Sequence, residues 1–164
     1  MTTDVSSDVD LSAIDLSDVD AAGGNITVTL TTSTGGNLTA TTGGGVTVGG
    51  SGTGVLTLDG TLTDLNTFLD TASNITYLHS TPGTNGDNVD TIQINVNDNG
   101  NTGTGGGTDI DLGTVNVDIA AANDAPVLTG DLTAAMNEGA TYIITATDLG
   151  YTDSDDVDAG VTFT

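Results

Sequence analysis

The fold is decided by stretches that alternate strictly between polar and apolar residues, such as Asn25-Ile-Thr-Val-Thr-Leu30. Successive side chains of a β-strand point to opposite faces of a sheet, so Ile26, Val28 and Leu30 share one face. Valine, isoleucine and threonine are also enriched in strands. The pattern therefore predicts a strand with one buried face and one face in water.

The same alternation recurs along the chain. It is clear in Thr91–Asn97 and Thr114–Ile119, and shorter forms occur at Leu38–Thr41, Val46–Val48, Val55–Leu58 and Ile75–Leu78. Glycine-rich breaks separate these segments at residues 43–45, 49–54 and 103–107. About seven short strands between such breaks predict an all-β fold, an antiparallel β-sandwich like that of immunoglobulin domains.

One segment, Thr61–Asp70, departs from the alternation. Its apolar residues Leu62, Leu65, Phe68 and Leu69 stand three and four positions apart, which is the spacing of a helix face. We expect a helix of one to two turns across an end of the sandwich, with Thr63 or Asp64 as its N-cap and Phe68 on the core.

The charge of the chain is entirely negative. There is no lysine or arginine among 164 residues, and 22 aspartates and one glutamate give a formal net charge of −23. Each carboxylate must therefore be solvated, hydrogen-bonded to neutral donors or bound to a cation from outside the chain. Oxygen ligands at this density suit Ca²⁺, which takes about 6–8 of them. Calcium is the cofactor that we expect.

Composition also excludes several classes of partner and activity. Direct nucleic-acid binding needs lysine and arginine, and anionic membrane surfaces repel such a chain. No run of about 18 apolar residues is present, so direct membrane insertion is not expected. The single histidine, His79, has no cysteine or second histidine with it, and no nucleophile elbow is present. We expect no enzymatic activity and no catalytic residue.

The chain contains an internal repeat. Asp18-Val-Asp-Ala21 precedes the first alternating strand, and Asp156-Val-Asp-Ala159 precedes the apparent strand Val161–Thr164, each with an Asp-Leu pair upstream (Asp15-Leu16 and Asp148-Leu149). We expect a repeat over residues 1–122, a linker over 123–127 and the start of a second repeat, or a donor-strand tail, over 128–164. The first repeat lacks an opening strand, and Asp4, Asp8 and Asp10 are expected to form a frayed lead-in.

A family resemblance follows from three motifs. The Asp-x-Asp turn at residues 18–20, the turn Asn97-Asp-Asn-Gly100 and the exit motif Asn123-Asp-Ala-Pro126 together resemble cadherin-like and chondroitin-sulfate-proteoglycan-like tandem repeats of large bacterial surface adhesins. The resemblance covers roughly residues 11–127. It differs from the mammalian cadherin junction, because Ala120, Ala121 and Ala122 stand where an aspartate is expected. Fewer than three ions per junction are therefore expected.

The resemblance implies Ca²⁺ at the junctions between repeats. Glu138, the single glutamate, has a long arm suited to bidentate binding, and four carboxylates between 153 and 158 would repel one another without a cation. Asn97-Asp-Asn-Gly100 is instead expected to be a structural turn. The predicted metal ligands are Asp18, Asp20, Asp118, Asn123, Asp124, Glu138, Asp153, Asp155, Asp156 and Asp158.

These expectations converge on a structural repeat of an extracellular or cell-surface protein, a calcium-stiffened rod-like spacer. Its partners are neighbouring repeats of the same chain or identical subunits, and its adhesion ligand is not specified by the sequence. The alternative function is a subunit of an extracellular filament assembled by β-strand addition between chains. Two further alternatives are an adhesin tip that binds a glycan or ice, and acidity that serves only solubility in brine.

Overall fold

A computed structural model describes residues 7–19, 21, 23–101, 107–120, 127–131, 133–145, 148 and 150–152. The chain divides into two compact units, one that ends at Ala120 and one that begins at Ala121. The described elements are β1 (Ser7–Asp8), β2 (Asn25–Thr32), β3 (Gly36–Ala40), β4 (Thr47–Gly49), β5 (Val55–Thr61), α1 (Leu62–Leu69), a 3-10 turn (Ala72–Asn74), β6 (Ile75–His79), β7 (Gly86–Asn97), β8 (Ile110–Ile119), β9 (Val127–Leu128) and β10 (Tyr151–Thr152).

The first unit is an all-β sandwich of two antiparallel sheets. Its larger sheet has the strand order β4-β5-β2-β7-β8, and its smaller sheet has the order β1-β6-β3. All seven strand segments expected from the alternation are present, and the prediction of an antiparallel β-sandwich is confirmed. The observed β7 begins five residues earlier than the pattern indicated, at Gly86.

The core lies between the two sheets and is mainly aliphatic. Strand β2 buries Ile26, Val28 and Leu30, and β7 buries Ile92 and Ile94 from the neighbouring position in the same sheet. Leu38 and Tyr77 face them from the smaller sheet. Burying a side chain of this size contributes about 1.5–3 kcal/mol. The period-2 pattern thus placed these side chains on the correct face.

Strand register defines two ends of the sandwich. Asn25 pairs with Thr61 of β5, and Thr27 pairs with Asn97 of β7, so β2 begins at the end of the sandwich where β5 and β7 finish. We call this the helix end, because α1 follows Thr61 there. At the opposite end Gly86 pairs with Ile119, where β7 begins and β8 finishes; we call this the exit end.

The helix α1 packs as expected but begins with a different cap. Leu65, Phe68 and Leu69 are buried, which confirms Phe68 on the core. The prediction of Thr63 or Asp64 as the N-cap is wrong, because Thr61 Oγ1 accepts from the backbone N–H of Asp64 and donates to Asp64 Oδ2 at 2.7 Å. Thr61 ends β5 in an extended conformation, and the helix starts one residue later.

The segment before Asp15 is ordered against the sandwich rather than frayed over residues 7–16. Ser7 and Asp8 pair with Tyr77 and Thr76 of β6, and Leu11 and Leu16 are buried in the core. The alternation pattern missed this strand because its two residues, Ser7 and Asp8, are both polar.

The second unit contains one short pairing in its described residues. Strand β9 pairs antiparallel with β10, with Leu128 opposite Tyr151 and Val127 opposite Thr152. Nowhere in the described part of the chain does a helix have the length and apolarity to span a membrane.

Candidate metal-binding carboxylates

Asp118 lies near the exit end, one residue before the end of β8. It is exposed, and its Oδ1 accepts a hydrogen bond of 2.7 Å from the backbone N–H of Asn88. Asn88 has a φ of 54° and lies in an irregular stretch of the β7–β8 pairing between Gly86 and Asp90. The carboxylate therefore holds a distorted part of the β7 backbone while it remains accessible from solvent.

Asp18 lies at the other end of the sandwich. Two residues before it, Leu16 is fixed to the helix by a pair of bonds of 2.9 Å with the Asn66 side-chain amide, one in each direction. Asp18 itself is half-buried. The structure thus places Asp18 near the helix end and Asp118 near the exit end, and it does not bring the two together.

Glu138 belongs to the second unit. It is exposed within a turn closed by the Ala140 N–H and the Asn137 carbonyl at 3.0 Å, and Gly139 supplies the positive φ of 78° in that turn. The other seven predicted ligands lie outside the described residues: Asp20, Asn123, Asp124, Asp153, Asp155, Asp156 and Asp158. Within the described ranges, no three Asp, Glu or His side chains are grouped so that they could hold a metal ion.

The most organised carboxylate in the chain is Asp90, which the sequence analysis did not single out. It is only 1% exposed, on β7 between the two sheets. Its Oδ1 accepts from the backbone N–H of Ser33 (2.9 Å), Thr34 (2.8 Å) and Thr91 (2.8 Å), and from Ser33 Oγ (2.8 Å). Its Oδ2 accepts from the Tyr77 hydroxyl at 2.9 Å and the Gly36 N–H at 3.2 Å.

These bonds keep Asp90 ionised although it is buried. Burial raises the pKa of this carboxyl, but the hydrogen bonds from Ser33, Tyr77 and the N–H groups of Thr34 and Thr91 outweigh it and hold the pKa well below its usual range. The pKa of Tyr77 is raised by burial and by Asp90. The sequence does contain a signal for this residue. Asp90 stands two and four positions before Ile92 and Ile94, so its side chain lies on the same inward face of β7.

Exposed carboxylates of the larger sheet also accept hydrogen bonds from neutral donors. Asp59 accepts from Asn25 Nδ2 at 2.7 Å and from Thr27 Oγ1 at 3.2 Å, and Asp109 accepts from Asn97 Nδ2 at 2.8 Å. The amide and hydroxyl groups on neighbouring strands therefore take the place that lysine and arginine hold in most proteins.

The turn after β7 follows the same chemistry. Asp98 Oδ1 accepts from the N–H groups of Gly100 (3.1 Å) and Gly107 (2.6 Å), and the bonds from Gly107 and Gly100 lower the pKa of Asp98. Asn99 and Gly100 both have positive φ, 57° and 75°. The predicted turn at Asn97–Gly100 is confirmed, and its purely structural role stays a prediction.

In the second unit, Asp148 is held in the same way. Its carboxylate accepts from the Tyr142 hydroxyl at 2.6 Å, and from Thr145 N and Oγ1 at 2.7 Å each. These bonds lower the pKa of Asp148. Neutral donors thus organise carboxylates in both units, and any cation would act on the exposed carboxylates, such as Asp118 and Glu138.

No family model, no curated protein and no solved structure matches this chain. The cadherin-like resemblance therefore has no support from these comparisons and stays a prediction.

Proposed function

We propose that this chain is a structural repeat of an extracellular, calcium-stiffened adhesin or matrix protein that acts as a rod-like spacer. The observation that carries the proposal is the repetition of Asp18-Val-Asp-Ala21 as Asp156-Val-Asp-Ala159, beyond the boundary that divides the chain into two units. The same acidic motif thus precedes β2 in the first repeat and recurs in the sequence of the second.

The positions of the carboxylates support the proposal. Asp18 is near the helix end of the sandwich, whereas Asp118 is near the exit end, two residues before the first unit finishes at Ala120. In a tandem array, each end would then present acidic side chains to the adjoining repeat. A cation there would cancel their repulsion and restrict the linker.

A chain with a net charge of −23 and no lysine or arginine carries repulsion among its carboxylates that a divalent cation would reduce. An ion bound only by the folded state stabilises it by about 2.7 kcal/mol at a hundredfold excess over Kd. Extracellular modules of this kind bind Ca²⁺ with a Kd of roughly 10⁻⁴–10⁻³ M.

The test is a calorimetric Ca²⁺ titration combined with thermal melts in excess calcium and in chelator. We expect saturable binding and a higher Tm with calcium. Control melts in KCl at the same ionic strength, and in MgCl₂ at the same concentration as the calcium, separate specific binding from charge screening. A Tm that chelation leaves unchanged would contradict the calcium proposal, and an equal rise in KCl would favour adaptation to brine.

A second candidate is a filament subunit assembled by strand addition. It is favoured by exposed apolar residues on an edge strand, since Ile110 and Leu112 of β8 are 61% and 50% exposed. Uncovered apolar edges are sites at which another chain can add a strand. Light scattering across a concentration series tests this candidate, and a strict monomer throughout would contradict it.

A further inference from the structure

The dipeptide Asn-Gly occurs twice in the chain, at Asn85-Gly86 and at Asn99-Gly100. An asparagine in this dipeptide readily loses its side-chain amide, because the backbone nitrogen that follows can attack the side-chain carbonyl and glycine has no Cβ to hinder the approach. Each copy has an aspartate close by in the sequence, Asp87 in one and Asp98 in the other. The two local sequences are thus similar, and both asparagines are exposed, so their hydrogen bonds decide how they differ.

In Asn99-Gly100 both reacting groups are held. Asn99 Nδ2 donates to the carbonyl oxygen of Asn25 and to Thr27 Oγ1, each at 3.1 Å. The Gly100 N–H, whose nitrogen would have to attack, donates to Asp98 Oδ1 at 3.1 Å. The side chain is therefore anchored to a distant strand while the attacking group is occupied. Reaction at this site needs these bonds to open together.

In Asn85-Gly86 the hydrogen bonds are local. Asn85 lies just before β7 at the exit end, and its Nδ2 donates to the Gly83 carbonyl, two residues earlier, at 3.2 Å. Gly86 pairs with Ile119, but a shift in register separates this pair from the regular β7–β8 ladder, which resumes at Asp90. Opening a short local contact and a terminal pair costs less than opening bonds between distant segments.

We propose that Asn85 is a site of spontaneous deamidation and that the fold protects Asn99 from the same reaction. The Gly86 nitrogen bonds to Asn85 Cγ, the Cγ–Nδ2 bond breaks, and Nδ2 leaves as ammonia with the proton of the Gly86 N–H. Water then opens the cyclic imide at either carbonyl and leaves aspartate or isoaspartate at position 85. The reaction needs no enzyme and no oxidant, and the inference depends neither on calcium nor on filament assembly.

The product changes the exit end in two ways. Both forms add a carboxylate one residue before the Gly86–Ile119 pair, at the end of the sandwich that also carries Asp118. Isoaspartate in addition routes the main chain through the side-chain carbon and so lengthens it where β7 begins. Ile119 is the last residue of β8, and its pairing with Gly86 is the last one of the ladder. We expect the reaction to loosen this pair.

The test compares the two asparagines within one sample of the full chain, so that each is a control for the other. The protein is incubated for weeks at mildly alkaline pH, well below its Tm. Trypsin cannot cut a chain without lysine or arginine, whereas cleavage before aspartate separates residues 70–86, with Asn85, from residues 98–108, with Asn99. Fragmentation in a mass spectrometer locates each lost amide. Extra cleavage before position 85 identifies the aspartate form, since isoaspartate is not cut.

In the folded chain we expect Asn85 to react several-fold faster than Asn99. In guanidinium chloride, where the fold holds neither side chain, the two rates should converge. Equal rates in the folded chain, or a faster Asn99, would overturn the inference. A ratio that guanidinium chloride leaves unchanged would also overturn it, because the local sequence and not the fold would then set the difference. So would an Asn85 that stays intact in the folded chain and reacts only after unfolding.

Asn85→Gln is the matched variant, because it keeps an amide at an exposed position and forms a cyclic imide far more slowly. After incubation, amide hydrogen exchange at Ile119 should rise in the parent chain and stay at its starting value in the variant. Asn85→Asp adds the charge without lengthening the main chain, so it should raise this exchange less than the incubated parent does. Equal exchange in the incubated parent and in Asn85→Gln would overturn the predicted loosening of the exit end.

Discussion

The Tyr77 hydroxyl donates to Asp90 Oδ2 at 2.9 Å and so joins the two sheets of the sandwich at a buried point. Tyr77 lies on β6 of the smaller sheet, and Asp90 lies on β7 of the larger one. The same carboxylate binds the Ser33, Thr34 and Gly36 N–H groups, which lie in the connection from β2 to β3 and at its end. One buried charge thus fixes, by hydrogen bonds, the connection by which the chain crosses from the larger sheet to the smaller one.

Replacing Asp90 by asparagine should destabilise the first unit strongly. The amide retains one acceptor oxygen, and its NH₂ group would face N–H or O–H donors that now point at a carboxylate oxygen. We expect a loss of about 3–5 kcal/mol in the free energy of unfolding, measured by urea denaturation. Asp87→Asn is the matched control, since it removes the same charge from an exposed site and should change stability by less than about 0.5 kcal/mol.

The contribution of Asp90 should depend on pH with a definite sign. Its pKa is lower in the folded state than the usual value of about 3.9, so its stabilisation is complete above about pH 4 and is lost as the pH falls toward the folded-state pKa. The stability difference between the parent and Asp90→Asn should therefore shrink between about pH 4 and pH 2. Urea denaturation at several acidic pH values measures it, and a difference that grows on acidification would contradict the assignment.

Gly36→Ala should destabilise the same region by steric conflict. A Cβ at residue 36 would overlap the Tyr77 ring, which is buried and tied to Asp90, so it cannot move aside easily. Such overpacking costs about 1–3 kcal/mol. Gly43→Ala provides the control, because a Cβ there meets nothing within 4 Å. Thermal melts of both variants measure the effect, and equal Tm values would show that the strand relaxes at no cost.

Thr61→Ala should remove the cap of α1. Thr61 Oγ1 accepts from Asp64 N and donates to Asp64 Oδ2, and loss of a threonine N-cap costs about 1 kcal/mol. Thr63→Ala, at an exposed site within the helix, should leave stability nearly unchanged or raise it slightly, because alanine favours helices. Urea denaturation of the two variants distinguishes them, and a larger loss at Thr63 would contradict the assignment of the cap.

Asp118→Asn tests the calcium proposal with little change to the fold. The asparagine carbonyl can still accept from the Asn88 N–H, so the Tm in chelator should stay the same. Because calcium affinity follows the charge of its ligands, the Kd for Ca²⁺ should rise roughly tenfold and the calcium-dependent rise in Tm should shrink. Asp111→Asn, on the same strand but outside the predicted set, should leave calcium binding unchanged. Equal calorimetric Kd values for both variants would remove Asp118 from the site.

Much of the fold could be predicted because its signals are local. Alternation in Asn25–Leu30 and Thr91–Asn97 decided which side chains are buried, and the spacing of Leu65, Phe68 and Leu69 decided the helix. The candidate metal site could be predicted only as residue types and spacing. Most of its members lie outside the described residues, and the three that are described, Asp18, Asp118 and Glu138, are not brought together.

The sequence by itself determined the all-β class, the approximate positions of seven strands and the absence of any Lys or Arg partner for its carboxylates, since alternation and composition need no knowledge of distant contacts. Only the tertiary structure decided which groups donate hydrogen bonds to those carboxylates. The donors to Asp90 come from Ser33, Thr34, Gly36 and Tyr77, which are far apart along the chain and converge only when the two sheets pack. Burial makes that convergence necessary, because a charge removed from water must be hydrogen-bonded.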